Sequence, residues 1–231
     1  MIRSYEDFVK ALLAAGFSMG SGNSGGIYSV VPWDWNQEPP YETPVRWHTG
    51  DSETDPWEWR MRVLEERDDI AYGKLFFQKS GFITREWYPD FLAVRRQGTS
   101  LKDAYQEGRI SHYAKRVYEA MEGHEALALH ELKRAAAFSK EDASKFDRAL
   151  VELQGKMYLT LCGRQQKRSQ TGEAYGWSST VLCKAEAFFG PEVWEASLGI
   201  RPEEAQERIA AQVLRLNPAA DAKKISRFIK G

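Results

Sequence analysis

The sequence predicts a mainly helical α+β protein with a winged helix, meaning three short helices followed by a β-hairpin wing, preceded by an N-terminal helical region rich in tryptophan. Three observations predict it. Apolar residues recur at helical spacing along most of the chain. Two alternating runs, from Met157 to Cys162 and from Thr180 to Lys184, flank a polar, glycine-containing loop, which is the pattern of a hairpin. Six of the eight tryptophans (Trp33, Trp35, Trp47, Trp57, Trp59 and Trp87) fall in the first ninety residues. The expected organisation is a Trp-rich helical region with a β-hairpin over 1–109, a winged-helix module over 110–189 and C-terminal helices over 190–231.

The chain has 231 residues and an apolar content of 42%, enough to bury a sizeable core rather than remain disordered. Its net charge of −1 supplies no whole-chain attraction to nucleic acid or to a membrane surface, so any such partner must be met by a local patch. No apolar run reaches the roughly 18 residues of a membrane span, and Glu6 and Asp7 stand where a signal peptide is basic. The expectation is a cytoplasmic protein with no membrane partner. Strand alternation places Cys162 with Tyr158 and Thr160 but Cys183 with Val181, so the two cysteines are expected on opposite faces. His48, His112, His124 and His130 lack ligand spacing, and neither a metal site nor a cofactor is expected.

Each element has its local reason. Ser4, with Asp7 three residues on, caps a first helix whose apolar face is Phe8, Leu12 and Leu13 and whose stop is Gly16. From Gly20 to Pro56 the composition turns to Gly, Ser, Pro and Trp, which reads as loop with one short strand at Ile27 to Val31. Its glycine run lacks the lysine and hydroxyl of a phosphate-binding loop. Asp55-Pro56 opens a helix burying Trp57, Met61 and Leu64. Ile70 to Phe77, a turn at Gln78 to Gly81, and Phe82-Ile83 read as a hairpin, with a helix from Arg85 to Arg96 and a short one opened by Ser100.

From Ile110 the pattern sharpens. Ile110, Tyr113, Val117 and Met121 mark one helical face, Leu129, Leu132 and Ala136 a second, and Ala143, Phe146, Leu150 and Leu153 a third. Lys140, Lys145 and Arg148 face away from that third stripe, in the position a helix-turn-helix offers to DNA. The loop from Gly163 to Gly176 carries Arg164, Lys167 and Arg168 against one acid, Glu173, which gives it a local positive field suited to phosphate. The competing reading is a loop that is basic because it is solvated. The partner expected is double-stranded DNA.

Trp59-Arg60-Met61-Arg62 leading into Ala71-Tyr72-Gly73-Lys74-Leu75-Phe76, then Phe82-Ile83 and a helix, followed by the module from Leu127 to Cys183, resembles the winged-helix DNA glycosylases of the AlkZ and YcaQ type. That resemblance implies winged-helix units around a DNA-binding cleft and hydrolysis of the N-glycosidic bond of damaged bases without metal or cofactor. The family's catalysis is attributed to a Gln-aliphatic-Gln triplet, which this chain lacks; Gln165 and Gln166 are adjacent and lie in the wing.

An excision site would need a stacking pocket and a polar group beside the sugar. Trp47, His48, Trp57 and Trp59 are the candidates for the pocket, and Asp55 and Glu86 for the carboxylate. The alternative for these residues is structural: Asp55 a helix cap, Glu86 a first-turn acid, the tryptophans core. Two other functions remain open. One is a ligand-responsive winged-helix transcriptional regulator, dimeric and sequence-selective. The other is a non-catalytic protein-interaction module, in which neutralising the wing would cost no DNA affinity.

Overall fold

The computed structural model describes residues 1–166 and 178–231. Among the described residues six antiparallel strands form one sheet in the order β1-β3-β2-β5-β6-β4, and helices cover it on both faces. Helix α1 (Tyr5–Ala15) starts where Ser4 accepts the Asp7 N–H and ends at Gly16, whose φ of +86° only glycine adopts cheaply. Its buried stripe is Tyr5, Phe8, Val9, Leu12 and Ala15; Leu13, expected in the core, is exposed because it sits one step off that stripe.

The expected strand at Ile27–Val31 does not form. The strand lies earlier, at β1 (Phe17–Met19), and the 27–31 segment packs beside it as loop, with Met19 N–H donating to Tyr28 O. Helix α2 (Pro56–Glu66) begins at Asp55 as expected, but Trp59, Met61, Val63 and Leu64 are its buried residues and Trp57 points outward. Strands β2 (Ile70–Phe76) and β3 (Lys79–Thr84) are joined by Phe77 and Gln78, both at positive φ (51° and 62°). A two-residue turn of that hand matches the strand twist, so Lys79 to Gly81 belong to the strand rather than to the turn.

Helices α3 (Tyr88–Arg96), α4 (Leu101–Gln106) and α5 (His112–Glu119) follow, the last two capped by Ser100 and Ser111. Next come β4 (Ala126–Ala128), α6 (Leu129–Ala135) and α7 (Ala143–Gly155), then β5 (Leu159–Gln165) and β6 (Ser179–Lys184). β6 lies between β5 and β4, and β5 reaches the N-terminal strands through the pair Tyr72↔Leu161. The chain ends in α8 (Ala185–Phe188), α9 (Pro191–Leu198), α10 (Pro202–Leu216) and α11 (Ala222–Lys230); α11 starts at Asp221, which accepts the Lys224 N–H.

Three apolar clusters hold these layers. One face of β1, β2 and β3 packs under α3 and the C-terminal helices, with Phe76 and Phe228 stacked at 4.0 Å. The other face packs under α1, α2 and the 27–47 loop, around Phe8, Trp59 and Phe82. The third lies among α4 to α7, β5 and β6. Burying that much aromatic and aliphatic surface is the main stabilising contribution. No helix among the described residues is long and apolar enough to cross a membrane.

Alternation does not separate the cysteines. β5 pairs Thr160 with Cys183, so Cys162, two residues along, shares the face of Cys183, and a bulge between Leu161 and Gly163 leaves Cys162 outside the ladder. The two thiols perturb one another, the neighbouring thiol lowering the Cys162 pKa and raising that of Cys183.

Candidate nucleic-acid interface

Helix α7 lines a concavity on the surface. Phe146, Ala149, Leu150 and Leu153 bury one side of it, which leaves Ser144, Asp147 and Arg148 exposed on the other. Ser139 accepts the Asp142 N–H just ahead of the helix and so fixes its entry. At its far end, the Gln154 side chain accepts the Lys74 N–H at 2.9 Å and donates to Leu150 O, which fastens α7 across β2. Arg95, almost fully buried, donates to the carbonyls of Leu75, Gly155, Phe228 and Ile229 at 2.8–2.9 Å. It thereby ties β2 to the C-terminal ends of α7 and α11, whose dipoles favour a cation there.

These fastenings leave a furrow along the exposed face of α7. A 440 Å³ cavity lies against Lys74, Gln78, Arg148, Lys156 and Lys230. A 310 Å³ cavity continues past Arg148 to Ser111, Tyr113 and Lys145, and one of 320 Å³ runs past Lys156 and Lys230 to Arg109. Seven cations therefore line these adjoining cavities, Arg95 among them, against Asp147 and Glu152 as acids, and Arg109 is paired with Glu107 at 2.6 Å. Among the described residues Lys74, Arg148 and Lys230 have no carboxylate within 4 Å. Lys145 is held at 2.8 Å by Asp142, which with Tyr113 raises the lysine pKa, and Lys156 lies 3.7 Å from Glu152. A depression lined by unpaired cations is suited to a polyanion.

The sequence-predicted residues are dispersed. Lys145 and Arg148 line the furrow, while Lys140 lies exposed ahead of α7. Arg164 is a strand residue rather than part of a loop, and it bonds Glu65 at 2.5 Å and approaches Glu58 at 4.0 Å, so its charge is balanced by α2. Lys167 and Arg168 lie outside the described residues. Asp55 is fully buried: its carboxylate accepts the N–H groups of His48, Gly50 and Trp57 at 2.8–3.0 Å. Glu86 is exposed and pairs with Arg208 of α10 at 3.8 Å, on the opposite face of the sheet from α2. The two carboxylates are not brought together.

Of the proposed pocket residues, Trp59 is core, its indole N–H bonded to Ser52 O, and Trp47 is half-buried with its indole N–H on Trp33 O. His48, at φ +60°, stacks obliquely on Trp57, whose other neighbour is the Arg60 guanidinium at 3.3 Å. The loop around them carries Asp34, Glu38, Asp51 and Glu53, with Glu58 beside it on α2, an acidic setting unfavourable to phosphate.

Sequence reasoning missed Lys74, Arg109 and Lys156. Lys74 had a usable signal, since it is the one charged residue in the run Ile70 to Phe76, and it is the residue of β2 that the structure leaves exposed. Gln78 sits at the hairpin turn and reaches the furrow from the side opposite α7.

The site and the fold thus define an α+β protein with a basic furrow beside its α7 helix. The chain belongs to the AlkZ-related family, whose sequence profile matches residues 2–230. Among solved structures it is similar to the Streptomyces sahachiroi DNA glycosylase AlkZ, at 12% identity and a TM-score of 0.37, over 76% of this chain. The chain spans about half the length of that structure, 50% of it being covered. No curated protein matches the sequence.

Proposed function

We propose that this member of the AlkZ-related family is a DNA-repair protein that binds double-stranded DNA, with α5, β4, α6, α7, β5 and β6 acting as a winged helix and α7 presented to the duplex. The element order and the antiparallel β5–β6–β4 arrangement support the winged-helix assignment. The observation that carries the binding is the set of uncompensated cations, Lys74, Arg148 and Lys230, in one furrow along α7. The furrow's cations supply phosphate contacts, and Arg148, on the outward face of α7, is the side chain best placed to reach a base edge. The proposal is for duplex binding and includes no hydrolytic step, since Asp55 has its oxygens committed to backbone N–H groups and Glu86 stands on the opposite face.

The test is duplex binding across a salt series, comparing wild type with K74Q/R148Q/K230Q. Each lost phosphate contact lowers the slope of log affinity against log salt by about 0.9, so the triple variant should lose about 2.7. R164A should leave the slope unchanged, because Glu65 and Glu58 already neutralise that charge. Absence of salt-dependent binding by wild type at low ionic strength, or an unaltered slope in the triple variant, overturns the reading.

A further inference from the structure

Cys162 and Cys183 lie outside the furrow, and nothing in duplex binding uses them. Their arrangement is nevertheless specific. The register Thr160↔Cys183 sets both on one face of neighbouring strands, and the bulge frees Cys162 from the ladder. Gly163, which follows it at φ +151° with no atom of the described residues within 4 Å of a would-be Cβ, leaves the bulge room to adjust. Cys162 is partly exposed, whereas Cys183 is only 6% exposed.

We propose that Cys162 and Cys183 are a reversible dithiol–disulfide site, in which Cys162 meets a small-molecule disulfide of the glutathione class and Cys183 resolves the adduct. The Cys162 thiolate attacks one sulfur of that disulfide, forming a mixed disulfide and expelling one small thiolate. The Cys183 thiol then gives up its proton and its sulfur attacks Cys162, expelling the second small thiol. Two protein thiols are oxidised and one small disulfide is reduced to two thiols, so electrons and protons balance.

The surroundings divide the roles. The neighbouring Cys183 thiol lowers the Cys162 pKa and favours its thiolate, the nucleophilic form. The Cys162 thiol in turn, burial and the nearby Glu186 carboxylate raise the Cys183 pKa and keep that thiol protonated until it is needed. Thiols on one face of neighbouring strands, one of them on a bulge outside the ladder, need only a small movement of the bulged strand to bond. The disulfide would clamp the base of the β5–β6 hairpin, next to the single pair Tyr72↔Leu161 that joins β5 to β2.

The experiment is incubation of the full chain with oxidised glutathione, followed by intact-mass measurement and thiol counting. Wild type should lose both free thiols and about 2 Da, and recover them on treatment with dithiothreitol. C183S should instead hold one glutathione on Cys162, because the resolving thiol is gone, and C162S should remain unmodified. Iodoacetamide should alkylate Cys162 at least about tenfold faster than Cys183 in the reduced protein. A wild type that keeps both thiols, that accumulates a stable glutathione adduct, or that forms only disulfides between chains overturns the proposal. Since the wild-type result alone decides these outcomes, a variant that fails to fold does not leave the question open.

Discussion

Replacing Asp55 tests whether its carboxylate is structural. It is fully buried and accepts three backbone N–H groups: Trp57 at 2.8 Å, Gly50 at 2.9 Å and His48 at 3.0 Å. The Trp57 bond is the N-terminal cap of α2, and loss of such a cap costs about 1 kcal/mol. The other two are bonds to a charged acceptor that hold His48 at positive φ and close the 48–55 loop, worth about 1.5 kcal/mol each. Asp55→Ala should therefore destabilise the protein by about 4 kcal/mol. Asp55→Asn keeps the oxygen that accepts from His48 and Trp57 and turns a donor toward the Gly50 N–H, so its loss should be about 2 kcal/mol. Urea unfolding followed by tryptophan fluorescence reads both, since Trp57 and Trp59 lie on the capped helix, and the midpoints should fall in the order wild type, Asn, Ala with little change in slope. The salt slope for duplex binding, measured where each variant is folded, should not change. A shift below about 0.5 kcal/mol for Asp55→Ala would refute the structural account.

Two further substitutions probe the packing. A Cβ on Gly16 would lie 2.3 Å from the Trp87 indole at a backbone φ of +86°, so Gly16→Ala should cost at least about 2 kcal/mol; a near-neutral thermal shift would contradict it. Burial raises the Asp90 pKa above its ordinary value despite the attraction of Arg208, 3.1 Å away. A raised folded pKa means the folded chain holds a proton that the unfolded chain has released, so this carboxyl favours folding as pH falls through its folded pKa and opposes it at neutral pH. Asp90→Asn should then raise the urea midpoint near neutral pH and lose that advantage below about pH 4, where Asp is protonated in both states. A variant less stable at neutral pH would show that the Arg208 pair outweighs the cost of burial.

The sequence was most legible where structure depends on neighbours in the chain. Ser4, Ser100 and Asp55 signal helix starts because a cap is made within three residues, and Gly16 signals a stop because positive φ is a property of one residue. The helical stripe of α7, the β5 and β6 strands and the family resemblance were legible for the same reason: each is written in periodicity or in short runs. What the sequence left undecided is set by register and by contacts between distant segments. Arg164 reads as a free cation until α2 brings Glu58 and Glu65 to it, about a hundred residues away in the chain. Cys162 and Cys183 read as divergent until the pairing Thr160↔Cys183 places them on one face. Lys74 and Lys230 become part of a furrow only because Arg95 and Gln154 fasten α7, α11 and β2 together. Local propensity fixes the elements, but charge compensation and cavity shape are sums over atoms far apart in sequence, and only the packed chain evaluates those sums.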